Sequence, residues 1–224
     1  MIAACITARN EVETIGPLVK ALTELDYLVF VIDDGSTDDT GEAGLPWGAQ
    51  VIRHRESRGI GPSLMEAWRA ALALGCEAVI QLDAGGSHDP AAAPRLIAEL
   101  ECADVVIGSR FWALFCAYKG PFWRKWGSRL TAWLCNLACR TEFTDWTSGY
   151  RAFSREALET LLEHDYKATM HGWQMEVLWQ ANESGLRVAE VPIAYESGRS
   201  SLSPRVILEA LRVGLRICAS RLRS

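Results

Sequence analysis

Two acidic clusters each stand just past an apolar, β-branched run. Asp33-Asp34-Gly35-Ser36 follows residues 28–32, and Asp83-Ala84-Gly85-Gly86 follows residues 78–82. Such runs read as buried parallel strands, and open α/β sheets bind ligands outside the carboxyl ends of their strands. The two carboxylate loops are therefore expected to converge on one crevice. Carboxylates there accept hydrogen bonds from ribose hydroxyls or a base N–H, while the glycines allow tight turns and the following hydroxyls cap the next helix. A glycine-rich loop without a Walker lysine is not an NTPase site, and no G-x-G-x-x-G follows the first strand, so a dinucleotide fold is disfavoured.

The elements that position these loops follow from periodicity. Residues 2–7 read as a first strand, and Asn10 with Glu13 as the capped start of a helix running to about Leu25. A second strand ends at Asp33, a short third covers 50–54, and a helix over 61–74 stops at Gly75. Strands over 78–82 and 104–108 flank a helix over 90–100. Beyond a strand at 149–153 come helices near 155–163 and 172–184, then a strand at 187–193. Strands alternating with helices of this length predict βαβ units, an α/β fold with a mostly parallel sheet flanked by helices. Residues 1–200 are expected to form the domain and 201–224 a basic amphipathic helix packed on it or on a membrane surface.

With 224 residues, 49% of them hydrophobic and 23% charged, the chain suits one substantial soluble core. Its net charge of −5 argues against a nucleic-acid partner. Seven cysteines without C-x-x-C or metal spacing, and no signal peptide, predict reduced thiols in a cytoplasmic protein. Cys135 and Cys139 read as small core residues on one helix face. No apolar stretch reaches the roughly 18–20 residues needed to cross a bilayer, so any membrane contact is expected to be peripheral, on its cytoplasmic face.

Residues 111–146 hold five of the nine tryptophans (112, 123, 126, 133 and 146), with Phe111, Phe115, Tyr118, Phe122 and Phe143, interleaved with Lys119, Arg124, Lys125, Arg129 and Arg140. Aromatic side chains beside cations suit a surface with one apolar and one wet side, such as an anionic headgroup layer; an aromatic core helix with solvated charges is the alternative. On a helix over 204–222, Arg205, Arg212, Arg216 and Arg223 fall within about 20° of one line, with Val206, Leu208, Leu211, Leu215 and Cys218 elsewhere. A basic amphipathic helix can lie on an anionic membrane, although a solvated face has the same pattern.

Eight motifs in order carry a resemblance that spans nearly the whole chain. They are Ala8-Arg9-Asn10-Glu11, Ile32 to Asp38, Arg58-Gly59-Ile60-Gly61, Leu82 to Pro90, Gly108-Ser109-Arg110-Phe111, Asp145 to Arg151, Gln174-Met175-Glu176 and Glu190-Val191-Pro192-Ile193. The chain resembles the family 2 glycosyltransferases of GT-A fold, and within them the dolichol-phosphate (polyprenol-phosphate) mannosyltransferase group. The resemblance implies transfer of a sugar, mannose or another hexose, from a nucleotide-diphosphate donor to a polyprenyl phosphate, with inversion. It implies that Thr7, Arg9, Glu11, Ile32 and Asp34 line the nucleotide pocket, that Asp83, Ala84 and Gly85 hold a divalent metal (Mg²⁺ or Mn²⁺, with Asp83 as ligand) and the diphosphate, and that Arg110, Arg124 and Ser128 receive the acceptor phosphate. Guanidinium suits phosphate through bidentate pairing.

A polyprenyl phosphate is already anionic, so the nucleophile needs positioning rather than a base; the burden falls on charge growing on the leaving diphosphate. For a hydroxyl acceptor, Asp145 or Glu176 would be the base. The departures from the family pattern are specific. Gly85 stands for the second acid of Asp-x-Asp and Ser87 for a glutamine, leaving Asp83 as the obvious ligand of a hard ion. His88 and Asp89 are close in sequence, but Asp89 precedes a proline and suits a helix cap. Thr7 and Arg9 replace Pro and Tyr, and Ser197-Gly198-Arg199-Ser200-Ser201 lacks the usual lysine. Another lipid or glycan acceptor, or a non-catalytic nucleotide-sugar-binding role, are the alternatives.

Overall fold

A computed structural model describes residues 1–112, 118–196 and 204–221; the side chains of Tyr118, Arg124, Pro204 and Arg221 are also outside the described set. Phe115, Cys116, the 197–201 motif with Arg199, and Arg223 therefore lie outside the described residues.

The chain runs β1 (Ile2–Ala8), α1 (Val12–Thr23), β2 (Leu28–Asp33), α2 (Thr40–Gly44), β3 (Gln50–Arg53), α3 (Ile60–Ala73), β4 (Ala78–Asp83), α4 (Ala93–Glu99), β5 (Val105–Ser109) and β6 (Tyr118–Lys119). It continues through α5 (Phe122–Cys139), β7 (Arg151–Ser154), α6 (Arg155–Leu162), α7 (Gly172–Glu183), β8 (Val188–Pro192), β9 (Tyr195–Glu196) and α8 (Pro204–Arg221). Seven strands form one sheet in the order β3-β2-β1-β4-β7-β5-β8, parallel except for β7, which runs antiparallel between β4 and β5. The α/β sheet flanked by helices is thus as expected, with one reversed strand.

Alternation along the strands supplies two cores. Phe30 and Ile32 of β2 pack with Trp68, Phe153 and Trp173 on one face, while Val29 and Val31 pack with Ile6, Ile15 and Ile80 on the other. Cys135 and Cys139 are buried in the first core, as expected of small core residues. Trp146 is also fully buried there, its Nε1 donating to Asn136 Oδ1, so it does not join the outward aromatic set.

One local expectation is corrected. Asn10 does not cap α1: it sits at φ 57, and its Oδ1 accepts from Thr37 N while its own N–H donates to Ser36 Oγ. The asparagine tolerates a left-handed backbone and uses its amide to tie the β1 loop to the β2 loop. On α8, Val206, Val213 and Ile217 face the core while Leu208, Leu211 and Leu215 are exposed beside Arg205 and Arg212. Arg216 stays exposed in the arginine stripe and also pairs with Glu176.

Candidate active site

Both acidic loops leave the same edge of the sheet. In register, Ala8 stands beside Asp33 and Thr7 beside Asp83, so β1 lies between the two carboxylate-bearing strand ends. Arg110 follows β5 at that edge. Because β7 is reversed, its entry turn over residues 145–150 arrives at the same edge, with Arg151 between Gln81 and Ile107.

Contacts run unbroken from the second acidic loop to α5. The Asp83 carboxylate lies against Gly149: a β-carbon at that glycine would stand 2.7 Å from Asp83 Oδ1. Ser148 Oγ donates to Gly108 O at 2.6 Å. Arg110 grips buried Asp145 with two bonds, Nε to Oδ2 and Nη2 to Oδ1, both 2.7 Å, and Nη2 also reaches Thr147 Oγ1 at 2.6 Å. Thr147 Oγ1 in turn donates to Ser128 Oγ of α5 at 3.3 Å. The guanidinium lies 5.1 Å from the rings of both Phe111 and Tyr195. Arg124 begins the turn of α5 before Ser128, and its side chain lies outside the described residues.

Buried polar groups hold this turn in place. Arg151 is fully buried and donates to the carbonyls of Trp146, Ser148 and Gln174; burial pulls its pKa down to about 10. Glu190 accepts from Thr144 N, Thr144 Oγ1 and Asp145 N, and burial raises its pKa. Burial alone would raise Asp145 as well, but the Arg110 charge and hydrogen bonds from Arg110 and Thr147 outweigh it and hold it below the ordinary carboxylate value.

The structure reassigns several side chains. Asp34 accepts four hydrogen bonds: His54 Nδ1 and Arg58 N at Oδ1, Ser57 Oγ and Gly59 N at Oδ2. Those donors fill the about four lone-pair sites a carboxylate has, so Asp34 holds the 54–59 loop and has none left for a ribose or base. Burial works against its ionised form, but the Ser57, His54 and backbone bonds prevail and lower its pKa. Ile32 points into the core and Ala84 is buried. Glu176 accepts from Lys167 N, Ala168 N and Arg216, a clamp between α7 and α8 without a contact to Asp83 or Arg110. Asp145 is likewise committed to Arg110, so neither acid stands ready as a base.

Thr7 and Arg9 are accessible at the edge, and Glu11 reaches back toward Gly85, whose β-carbon would lie 3.4 Å from Glu11 Oε1. Glu11, Glu13, Asp38 and Gly85 line a cleft of about 140 Å³ there. An anionic diphosphate entering beside three carboxylates and Asp83 needs a cation between. The Asp83 side chain, 43% exposed, is available to hold one. Among the described residues no cluster of three or more acidic, histidine or cysteine side chains forms a complete metal cage. Asp83 thus offers the chain's carboxylate to a hard divalent ion, which takes oxygen ligands.

Sequence reasoning assigned no role to His54, His88, Glu190 or Arg151. The last three lie inside the motifs quoted above, which was the available signal. Asp89 does cap the turn after it, accepting from Ala91 N.

Comparison with known proteins agrees with this geometry. The family model "Glycosyl transferase family 2" matches residues 3–162. The undecaprenyl-phosphate mannosyltransferase of Micrococcus luteus is 31% identical over 218 residues, covering 92% of this chain and 89% of that protein. The polyprenol monophosphomannose synthase of Mycolicibacterium smegmatis is 32% identical over 193 residues, covering 82% and 73%. The crystal structure of glucosyl-3-phosphoglycerate synthase from Mycobacterium tuberculosis with Mn²⁺, uridine diphosphate and phosphoglyceric acid superposes with a TM-score of 0.72 at 22% identity, covering 99% of this chain and 78% of that one, which shows a shared GT-A fold. With both acidic loops and Arg110 at one sheet edge and a family match over most of its length, the chain belongs to glycosyl transferase family 2 and is a glycosyltransferase.

Proposed function

We propose that the chain moves a hexosyl group from a nucleoside-diphosphate sugar to a polyprenyl phosphate at a membrane surface, with inversion at the anomeric carbon. The observation that carries this is the unbroken path from Asp83 through Gly149, Asp145 and Arg110 to Ser128 on α5, a helix whose outward face is aromatic. Thr7, Arg9 and Glu11 receive the nucleotide, and Asp83 with the Ala84-Gly85 backbone receives the diphosphate. Arg110, Arg124 and Ser128 receive the acceptor phosphate. A divalent ion at Asp83, when bound, would offset charge on the leaving diphosphate.

The acceptor's phosphate oxygen forms the new bond to the anomeric carbon as the carbon–oxygen bond to the donor diphosphate breaks, and the electron pair leaves with the nucleoside diphosphate. No proton has to be removed from the nucleophile. This accords with Asp145 and Glu176 both being occupied by arginines. Asp145 instead fixes Arg110 so that its guanidinium meets the acceptor without reorganisation.

Where the acceptor's lipid goes is indicated by α5 and α8, which pack together and leave Phe122, Trp123, Trp126, Leu130, Trp133 and Leu137 of α5 and Leu208, Leu211 and Leu215 of α8 exposed. Lys125 and Arg129 lie on α5 and Arg205 and Arg212 on α8. Trp at the headgroup level and cations beside it suit an anionic bilayer. Among the described residues no helix is long and apolar enough to cross a membrane.

The test is product formation from GDP-mannose or UDP-glucose with a polyprenyl phosphate in mixed micelles. A sugar-phosphate lipid is expected, lost on Asp83→Ala. Donor binding without transfer to any lipid phosphate, or transfer only to water-soluble phosphates, would overturn it.

A further inference from the structure

His88 is the one polar side chain of the 83–89 loop that is buried and incompletely partnered. Its ring packs between those of Tyr150 and Tyr195, with centroids 5.0 and 5.6 Å away, and its backbone bridges to Tyr195. This packing asks only for a flat ring. Yet Nδ1 is buried without a hydrogen-bond partner, a rare and costly state for a ring nitrogen.

The position of that atom gives it a direction. Asp83 Oδ2 stands 3.8 Å from His88 Nδ1, too far for a hydrogen bond. Two metal–ligand bonds of about 2.1 Å each span about 3 Å when perpendicular and about 4.2 Å when collinear, so this gap lies within the range of two ligands on one ion. Gly149, having no β-carbon, leaves the Asp83 carboxylate room to sit at this place. On the opposite side of the loop, Gly85 contributes no side chain.

We propose that His88 Nδ1 joins Asp83 Oδ2 as a protein ligand of the divalent cation that holds the donor diphosphate, in place of an acid at position 85. This rests on the donor site proposed above. Diphosphate oxygens and water would supply the remaining ligands. The consequence is metal choice. An oxygen-only site suits Mg²⁺, whereas an imidazole shifts preference toward borderline transition ions, so the chain prefers Mn²⁺ or Co²⁺.

The experiment titrates MnCl₂ and MgCl₂ into the full chain with UDP or GDP at fixed concentration. Binding is followed by calorimetry and by the electron paramagnetic resonance signal of free Mn²⁺. Wild type is expected to bind Mn²⁺ more tightly than Mg²⁺. His88→Phe keeps the packing against both tyrosines and is expected to lose about tenfold or more in Mn²⁺ affinity, the scale on which even outer-shell partners act, and to lose the preference. His88→Asn places an amide oxygen near the Nδ1 position and is expected to recover binding with Mg²⁺ favoured; it carries the test if the phenylalanine variant does not fold. Unchanged Mn²⁺ affinity in His88→Phe, a wild-type preference for Mg²⁺, or nucleotide binding equally strong in chelator would overturn the inference while leaving the donor site standing. Failure of both UDP and GDP to bind with any metal would overturn the donor site, and the inference with it.

Discussion

The Asp83 carboxylate owes its place to the absence of a side chain at Gly149. A methyl group there would come within 2.7 Å of Oδ1, and the half-exposed carboxylate would turn away at little cost to the fold. Gly149→Ala is therefore expected to lower kcat by about 100-fold, the penalty typical of a 1 Å misplacement, while the urea midpoint stays close to wild type. Steady-state kinetics beside urea unfolding measure both; undiminished turnover would show that Asp83 position is immaterial. The Arg110–Asp145 pair behaves differently, because Asp145 is fully buried, the Arg110 side chain is only 12% exposed and their bonds are bidentate. Removing one partner of such a pair costs about 3–5 kcal/mol, since the other charge is left buried. Asp145→Ala should thus lower both stability and acceptor affinity, read by urea unfolding and by acceptor KM, with donor affinity the least affected.

Between elements, the β2 loop shows a carboxylate used as a fastener. Asp34 ties the end of β2 to residues 54–59, the segment that leads into α3. Its folded pKa is depressed, so its contribution is fully present above the ordinary aspartate value of about 3.9 and is lost as pH falls through the lower folded value. Asp34→Asn should therefore melt well below wild type at pH 7, and the two melting curves should draw together toward pH 3; a pH-independent gap would contradict that role. The strand ends were legible from sequence because apolar runs stop where the chain meets water, as at Asp33 and Asp83. What Asp34 does was not, since its four donors come from residues 20 to 25 positions away and no local pattern says which of them will face it. The same holds for Asn10, whose cap-like spacing to Glu13 gave way to bonds with Ser36 and Thr37. Reversal of β7 was equally hidden, because periodicity carries no direction, yet it is what brings Asp145 and Gly149 to the ligand edge.

Across the whole molecule, the two helices that the sequence marked as unusual meet. Helix α8 is fastened through Glu209, which accepts from the backbone N–H groups of Thr169, Met170 and Gly172 at the start of α7, and through Arg216 on Glu176. Helices α5 and α8 pack together, each with exposed apolar side chains, and Asn136 anchors α5 to the Phe143–Trp146 turn beside Asp145. Hydrogen bonds through Arg110, Thr147 and Ser128 tie Asp145 to the same helix α5. With a net charge of −5, the molecule as a whole is repelled by anionic lipid, and only the local cations and apolar area can reverse that. Because Trp126 and Trp133 are already exposed, Trp126→Ser with Trp133→Ser should leave the melting temperature within a few degrees of wild type. Each indole buried in a bilayer contributes about 1.5–3 kcal/mol, so the double variant should lose at least about tenfold in co-sedimentation with phosphatidylglycerol vesicles. Raising salt should weaken wild-type binding only in part, since its apolar component is unscreened. Transfer to a vesicle-borne polyprenyl phosphate should fall in step with binding, while transfer to a short, water-soluble prenyl phosphate should not change. Equal loss on both acceptors would mean that the tryptophans serve the phosphate site rather than the membrane.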